Sequence, residues 1–112
     1  MEIKKIYPES AATDKRLVYK LTRGESTTIQ KMAGREIAPV AWCIRDDTNS
    51  KNEDVTILTI MDNSGIVYST ISGTFIREFT AIAELMGDDD YSIMVTTGKT
   101  KAGRDFMNCT LI

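Results

Sequence analysis

The feature that most constrains the fold is a change of hydrophobic period between residues 55 and 86. Two segments, 55–61 and 66–71, are rich in β-branched residues and flank an Asp-Asn-Ser-Gly turn. Beyond them, apolar residues recur at spacings of four, three and four, which places Phe75, Phe79, Ile82 and Met86 on one helix face. The pattern predicts a β-hairpin followed by a helix at about 74–86.

Further strand-like segments lie on both sides of this unit, at 36–45, 91–97 and 105–112. The resulting order, β-β-β-α-β-β, is that of an OB-fold, a five-stranded barrel with a helix between its third and fourth strands. The predicted fold class is therefore mainly β and of the OB type, with an extra N-terminal strand at 17–22. Residues 1–16 are predicted to be a loose lead-in to a single domain, 17–112.

The cellular environment is predicted from what the sequence lacks. No apolar run approaches the roughly 20 residues of a membrane-spanning helix, and the first residues show no secretory signal. We therefore expect a cytosolic protein without a membrane association. Cys43 and Cys109 lie far apart and form no CxxC pair, so they are predicted to be small buried residues with free thiols.

Catalytic chemistry finds little support in the residues. The chain contains no histidine, which excludes His-based acid–base and triad chemistry. The run Asp88–Asp90 could hold a divalent ion, but a solvated acidic loop is the more common role of such a run. We predict a protein that is not an enzyme and that has no metal site and no cofactor.

The segment 98–104 (Gly-Lys-Thr-Lys-Ala-Gly-Arg) carries three cations, Lys99, Lys101 and Arg104, and no acid. In an OB-fold it joins strands 4 and 5, and this connection usually flanks the ligand groove. Its cations could neutralise phosphates, although a solvated hairpin loop is equally compatible with the sequence. The net charge of −2 counts against a nucleic-acid binder.

Aromatic side chains could provide stacking surfaces for unpaired bases. Alternation along the strands predicts that Val67 and Ile71 point inward and Tyr68 outward, and that Phe106 points outward on the last strand. Trp42 and Tyr91 stay undecided, and for each aromatic taken alone core packing is the more common role. The predicted DNA-binding residues are Lys99, Lys101, Arg104, Phe106, Tyr68, Trp42, Arg45 and Tyr91.

Two stretches, 67–79 and 98–109, resemble single-stranded DNA-binding proteins encoded by bacteriophages of Gram-positive hosts, and 18–22 and 29–32 are similar to the start of those proteins. The most specific part is 99–106, where the family tends to have Ser in place of Thr100. The resemblance implies an OB-fold and protection of single-stranded DNA during phage replication and recombination, in the cytoplasm of the bacterial host. It also implies that Lys99, Lys101, Arg104 and Phe106 belong to the DNA groove.

The predicted partner is thus single-stranded DNA, with phage or host replication and recombination proteins as further candidates. The oligomeric state stays open, a homo-oligomer included. Many single-strand binders end in an acidic tail that recruits partners, and the sequence shows none before Ile112, so this type has no tail or the chain continues. The alternative function is an OB-fold module that binds a host or phage protein, which the net acidity and modest aromatic content favour.

Overall fold

The computed structural model describes all residues, 1–112, and shows a mainly β protein with two α-helices. Short 3₁₀ segments occur at Glu9–Thr13 and Ile29–Met32. In chain order, the elements are β1 (Glu2–Tyr7), α1 (Lys15–Thr22), β2 (Thr27–Thr28), β3 (Glu36–Ile37), β4 (Pro39–Thr48), β5 (Asp54–Asp62), β6 (Val67–Thr70), α2 (Gly73–Met86), β7 (Ile93–Lys99) and β8 (Asp105–Leu111). The predicted mainly β class is confirmed.

The strands form two sheets, one of five strands in the order β1-β4-β5-β6-β2 and one of three strands in the order β3-β7-β8. All neighbours are antiparallel except β2 and β6. The chain passes from the small sheet to the large one at Ala38, between β3 and β4. The order β-β-β-α-β-β is present from β4 onward, but the two sheets do not close into a barrel.

Helix α2 confirms the helix predicted from the apolar spacing. The hydroxyl of Ser72 accepts a hydrogen bond from the Phe75 amide at 3.2 Å, which caps the N-terminus. The helix ends at Gly87, whose φ of 58° is readily adopted by glycine. Phe75 and Phe79 are fully buried in the main hydrophobic core. The helix is thus fixed against the sheets by its aromatic face.

The N-terminal region differs from the prediction. Residues 17–22 form the helix α1 rather than a strand, because Leu17 and Leu21, four residues apart, pack together against Cys43 on the large sheet. In a run this short, apolar residues at 17, 19 and 21 also fit a period of two, so the sequence is ambiguous. Residues 1–16 are not a loose lead-in, since β1 pairs with β4 and Glu9–Thr13 is helical.

Cys43 and Cys109 are free and buried, as expected of small apolar side chains in a core. Neither helix has the length and apolar character needed to span a bilayer.

Candidate nucleic-acid interface

The open side between the two sheets forms a groove with a volume of about 740 Å³, which we call the inter-sheet groove. One wall comes from β2, the end of β6 and the start of α2, and the other from β7 and β8. Half of its 12 lining residues are polar and uncharged, and they include Thr28, Gln30, Thr70 and Thr97. The groove thus lies between an edge strand of the large sheet, β2, and an edge strand of the small sheet, β8.

The turn that connects β7 and β8 carries three cations, Lys99, Lys101 and Arg104, and we call it the basic turn. The amide of Thr100 donates to the Arg104 carbonyl at 2.8 Å, and the amide of Gly103 donates to the Thr100 carbonyl at 2.9 Å. All three cations are exposed. Lys99 Nζ is 3.9 Å from Asp105 Oδ1, whereas Lys101 and Arg104 form no ion pair. The turn therefore presents cations that are free to meet an anion.

Phe106 lies directly opposite Gly98 in the β7–β8 ladder, and its ring covers this glycine. A Cβ atom placed on Gly98 would be 2.6 Å from Phe106 Cζ, so the ring occupies the space that any larger residue would need. Both residues line the inter-sheet groove, and Phe106 is 37% exposed. The predicted outward orientation of Phe106 is confirmed, and its ring is available at the wall of the groove.

Two of the predicted aromatic contacts are core residues instead. Trp42 is 7% exposed and packs between Tyr7, with ring centroids 6.1 Å apart, and Phe79, with centroids 5.5 Å apart. Tyr68 is 5% exposed, and its hydroxyl donates to Asp62 at 3.1 Å. Its predicted outward orientation is wrong, because Val67 and Tyr68 are both buried and both faces of β6 are therefore covered.

The other two predicted contacts also lie outside the groove. Arg45 is buried, and its Nη1 donates to the Leu21 carbonyl at 3.1 Å while Nε lies 3.7 Å from an Asp47 carboxylate oxygen. Arg45 thus ties the end of α1 to the large sheet. Tyr91 is half-buried against the core, and this burial raises its pKa to about 12. Of the predicted set, the structure brings together only the basic turn and Phe106.

The sequence was compared with models of known protein families. The family model described as phage single-stranded DNA-binding protein matches residues 4–112. The chain belongs to this family. No curated protein and no solved structure gives a significant match. The resemblance inferred from the sequence is confirmed, and single-stranded DNA is the ligand that the family supports.

The sequence analysis of this phage single-stranded DNA-binding protein did not predict the polar residues that line the groove. Thr28 belongs to a two-residue strand and Gln30 to a 3₁₀ segment, and neither element has a recognisable sequence pattern. Ile71 was expected to point inward but lies just beyond β6, where it is 66% exposed at the groove. An isolated exposed isoleucine has no sequence signal that would distinguish it from a core residue.

Three of the sixteen acidic residues, Asp88–Asp90, lie at the end of α2 that is far from the groove. Helix α2 begins at the groove, and its 14 residues span about 21 Å before the chain reaches Asp88–Asp90. There the Tyr7 hydroxyl donates to Asp88 at 2.7 Å, and this bond raises the pKa of Tyr7. The carboxylates at this end thus lie beyond a Debye length, about 8 Å at physiological salt, from the groove.

Proposed function

We propose that this protein binds single-stranded DNA in the inter-sheet groove without catalysis, and that it coats and protects the DNA during phage replication and recombination in the host cytoplasm. The observation that carries the proposal is the exposed ring of Phe106, held over Gly98 beside the basic turn. The order β-β-β-α-β-β supports an open variant of the OB architecture, whose members bind ligands beside the connection of strands 4 and 5.

The two groups of side chains would supply different parts of the binding energy. Cations of the basic turn neutralise phosphates and release counterions, a contribution that is independent of base sequence and weakens as salt rises. The ring of Phe106 stacks on an unpaired base, which is worth about 1–3 kcal/mol per base. Bases of a duplex are already stacked on each other, so the combination favours single strands.

A non-catalytic role is supported by the residues available for chemistry. The chain has no histidine, and no three Cys, Asp or Glu side chains converge on a point where a metal ion could be held. The groove itself contains a single carboxylate, Asp105, which lies near Lys99. A lone exposed carboxylate beside a lysine lacks the partner that two-carboxylate acid–base chemistry needs.

Fluorescence anisotropy with labelled oligothymidylate and with a duplex of equal length would test the proposed preference. The single strand should bind more tightly, and its affinity should fall steeply as salt rises. Equal affinity for both forms at moderate salt would refute the stacking part of the proposal.

Two variants separate stacking from charge. Phe106→Ala should lower affinity by about 1–3 kcal/mol with little change in the salt dependence. Lys101→Ala should reduce the slope of log affinity against log salt by about 0.7–1. Affinity and melting temperature are measured on the same samples. If Phe106→Ala lowered the melting temperature strongly while the folded fraction kept normal affinity, Phe106 would be a packing residue only.

A further inference from the structure

The solvent face of α1 concentrates positive charge around an exposed aromatic ring. At 3.6 residues per turn, Lys15, Arg16, Tyr19 and Lys20, together with Arg23 just after the helix, fall within an arc of about 140°. Leu17 and Leu21 occupy the opposite side and pack on the large sheet. Tyr19 is 60% exposed, whereas tyrosine is on average intermediate in burial.

None of the four cations on this face has an acidic partner. The ion pairs of the protein involve Lys4, Lys5, Arg45 and Lys99, and none involves a residue of the α1 face. The helix itself contains no acidic residue, and the Asp14 carboxylate that precedes it accepts a hydrogen bond from the Leu17 amide. Two exposed carboxylates, Asp14 and Glu25, flank the four cations in sequence, so in a protein of net charge −2 this region carries a local charge of about +2.

The α1 face is connected to the inter-sheet groove across the edge strand β2. Thr28 lines the groove, and the preceding residue, Thr27, lines a second cleft whose wall includes Lys20. These two threonines have Cα atoms about 3.8 Å apart. The hydroxyl groups of Ser26, just before β2, and Ser69, in β6, form a hydrogen bond of 3.0 Å that links the two segments. A chain that leaves the groove over β2 would thus meet Lys20 first and the rest of α1 next.

We infer that the solvent face of α1 is a second contact surface for single-stranded DNA, which holds the part of the strand that has left the inter-sheet groove. Tyr19 stacks on a base, and Lys15, Arg16, Lys20 and Arg23 contact phosphates. The combination of an exposed ring with interleaved cations is the one that sequence-tolerant binding of single strands requires. This inference rests on the proposed function, because the groove must bind the same strand.

The test uses oligothymidylates of two lengths, about 4 and about 16 nucleotides, which bracket the site sizes of OB-type proteins. Tyr19→Ala should weaken binding of the long oligonucleotide about 5- to 150-fold, the range expected for loss of one stacked base, and Tyr19→Phe should restore it. The double variant Arg16→Ala/Arg23→Ala should lower the salt slope for the long oligonucleotide by about 1.4–2. The short oligonucleotide should bind all variants as it binds the unmodified protein.

Lys5→Ala is the matched control, since this exposed cation lies outside the α1 face and its Nζ is 2.6 Å from Glu84 Oε1 on α2. It should leave both affinities and the salt slope unchanged, and all variants should keep the melting temperature. If the unmodified protein binds both lengths but the α1 variants change neither, the second surface is refuted and the groove stands. Equal losses for both lengths would also refute it, because α1 would then act within the primary site. If the unmodified protein binds neither length, the proposed function itself fails.

Discussion

Replacement of Gly98 by alanine is the sharpest probe of how the groove is built. The new Cβ atom would lie 2.6, 3.0 and 3.3 Å from three ring atoms of Phe106, all inside normal contact distance. The backbone atoms around Gly98 are fixed in the β7–β8 ladder, whereas the ring is the far end of a partly exposed side chain. The ring therefore has to move, and we expect it to tilt away from the strand.

The cost of this change to stability should be small. Overpacking typically costs about 1–3 kcal/mol, and a ring that can turn toward solvent places Gly98→Ala near the lower limit. Alanine in a strand is in turn more stable than glycine by about 0.5–1 kcal/mol. The two contributions nearly cancel, so the free energy of unfolding should change by less than about 1 kcal/mol. DNA affinity should instead lose much of the stacking contribution, about 1–3 kcal/mol.

The assay is a double-mutant cycle with Gly98→Ala and Phe106→Ala, read by oligothymidylate binding and by urea denaturation. Once the ring is absent, Gly98→Ala should have no further effect on affinity. Gly73→Ala serves as the control, because its Cβ would meet only Arg77 Nη1, at an ordinary 3.6 Å. Normal affinity of Gly98→Ala, combined with weak binding of Phe106→Ala, would refute the idea that Gly98 positions the ring. Fully additive effects of the two changes would refute it as well.

Two substitutions and one pH series test the packing of the protein. Tyr68→Phe removes the hydrogen bond to Asp62 and should cost about 0.5–1.5 kcal/mol in urea denaturation while leaving oligonucleotide affinity unchanged, and a selective loss of affinity would return Tyr68 to the site. Ser72→Ala removes the α2 cap and should cost about 0.5–2 kcal/mol by the same assay, so an unchanged midpoint would contradict the cap. Burial raises the pKa values of Cys109 and Tyr91 to about 12, so the folded protein retains protons that the unfolded chain loses. The free energy of unfolding, followed by urea denaturation across pH, should be constant between about pH 6 and about pH 8 and decrease as the pH rises toward 12, whereas an increase above about pH 9 would contradict this.

The fold was predictable where one period dominates a long enough segment. The spacing of Phe75, Phe79, Ile82 and Met86 by four, three and four residues fits a helix and not a strand, and the turn at 62–65 fixes the hairpin before it. The segment 17–22 was not predictable, because its six residues fit both periods and the choice is made by Cys43 and its neighbours on the sheet. The pairing of β1 with β4 likewise depends on contacts between segments about 40 residues apart.

The site was predictable where chemistry and local geometry coincide. A hairpin turn with three cations is exposed in almost any fold, so the exposure of the basic turn was predictable, whereas its assignment to the candidate site depended on its place between strands 4 and 5 and on the family resemblance. The orientation of an aromatic depends instead on whether its strand is covered on one face or on both. Phe106 follows the alternation because one face of β8 is open, whereas Tyr68 does not, because both faces of β6 are covered. Alternation alone cannot distinguish these cases.

The position of charge in the fold explains how a protein of net charge −2 can bind a polyanion. The acidic residues Asp88–Asp90 follow α2 and are about 21 Å from its groove end, whereas the basic turn borders the groove itself. At physiological salt, charges farther apart than about 8 Å are largely screened, so a phosphate in the groove is affected by the basic turn more than by the distant acids. The same acids would repel DNA from that end of the protein. Net charge therefore says little about binding here, and under the proposed function the separation of charges along α2 would direct a strand toward the groove.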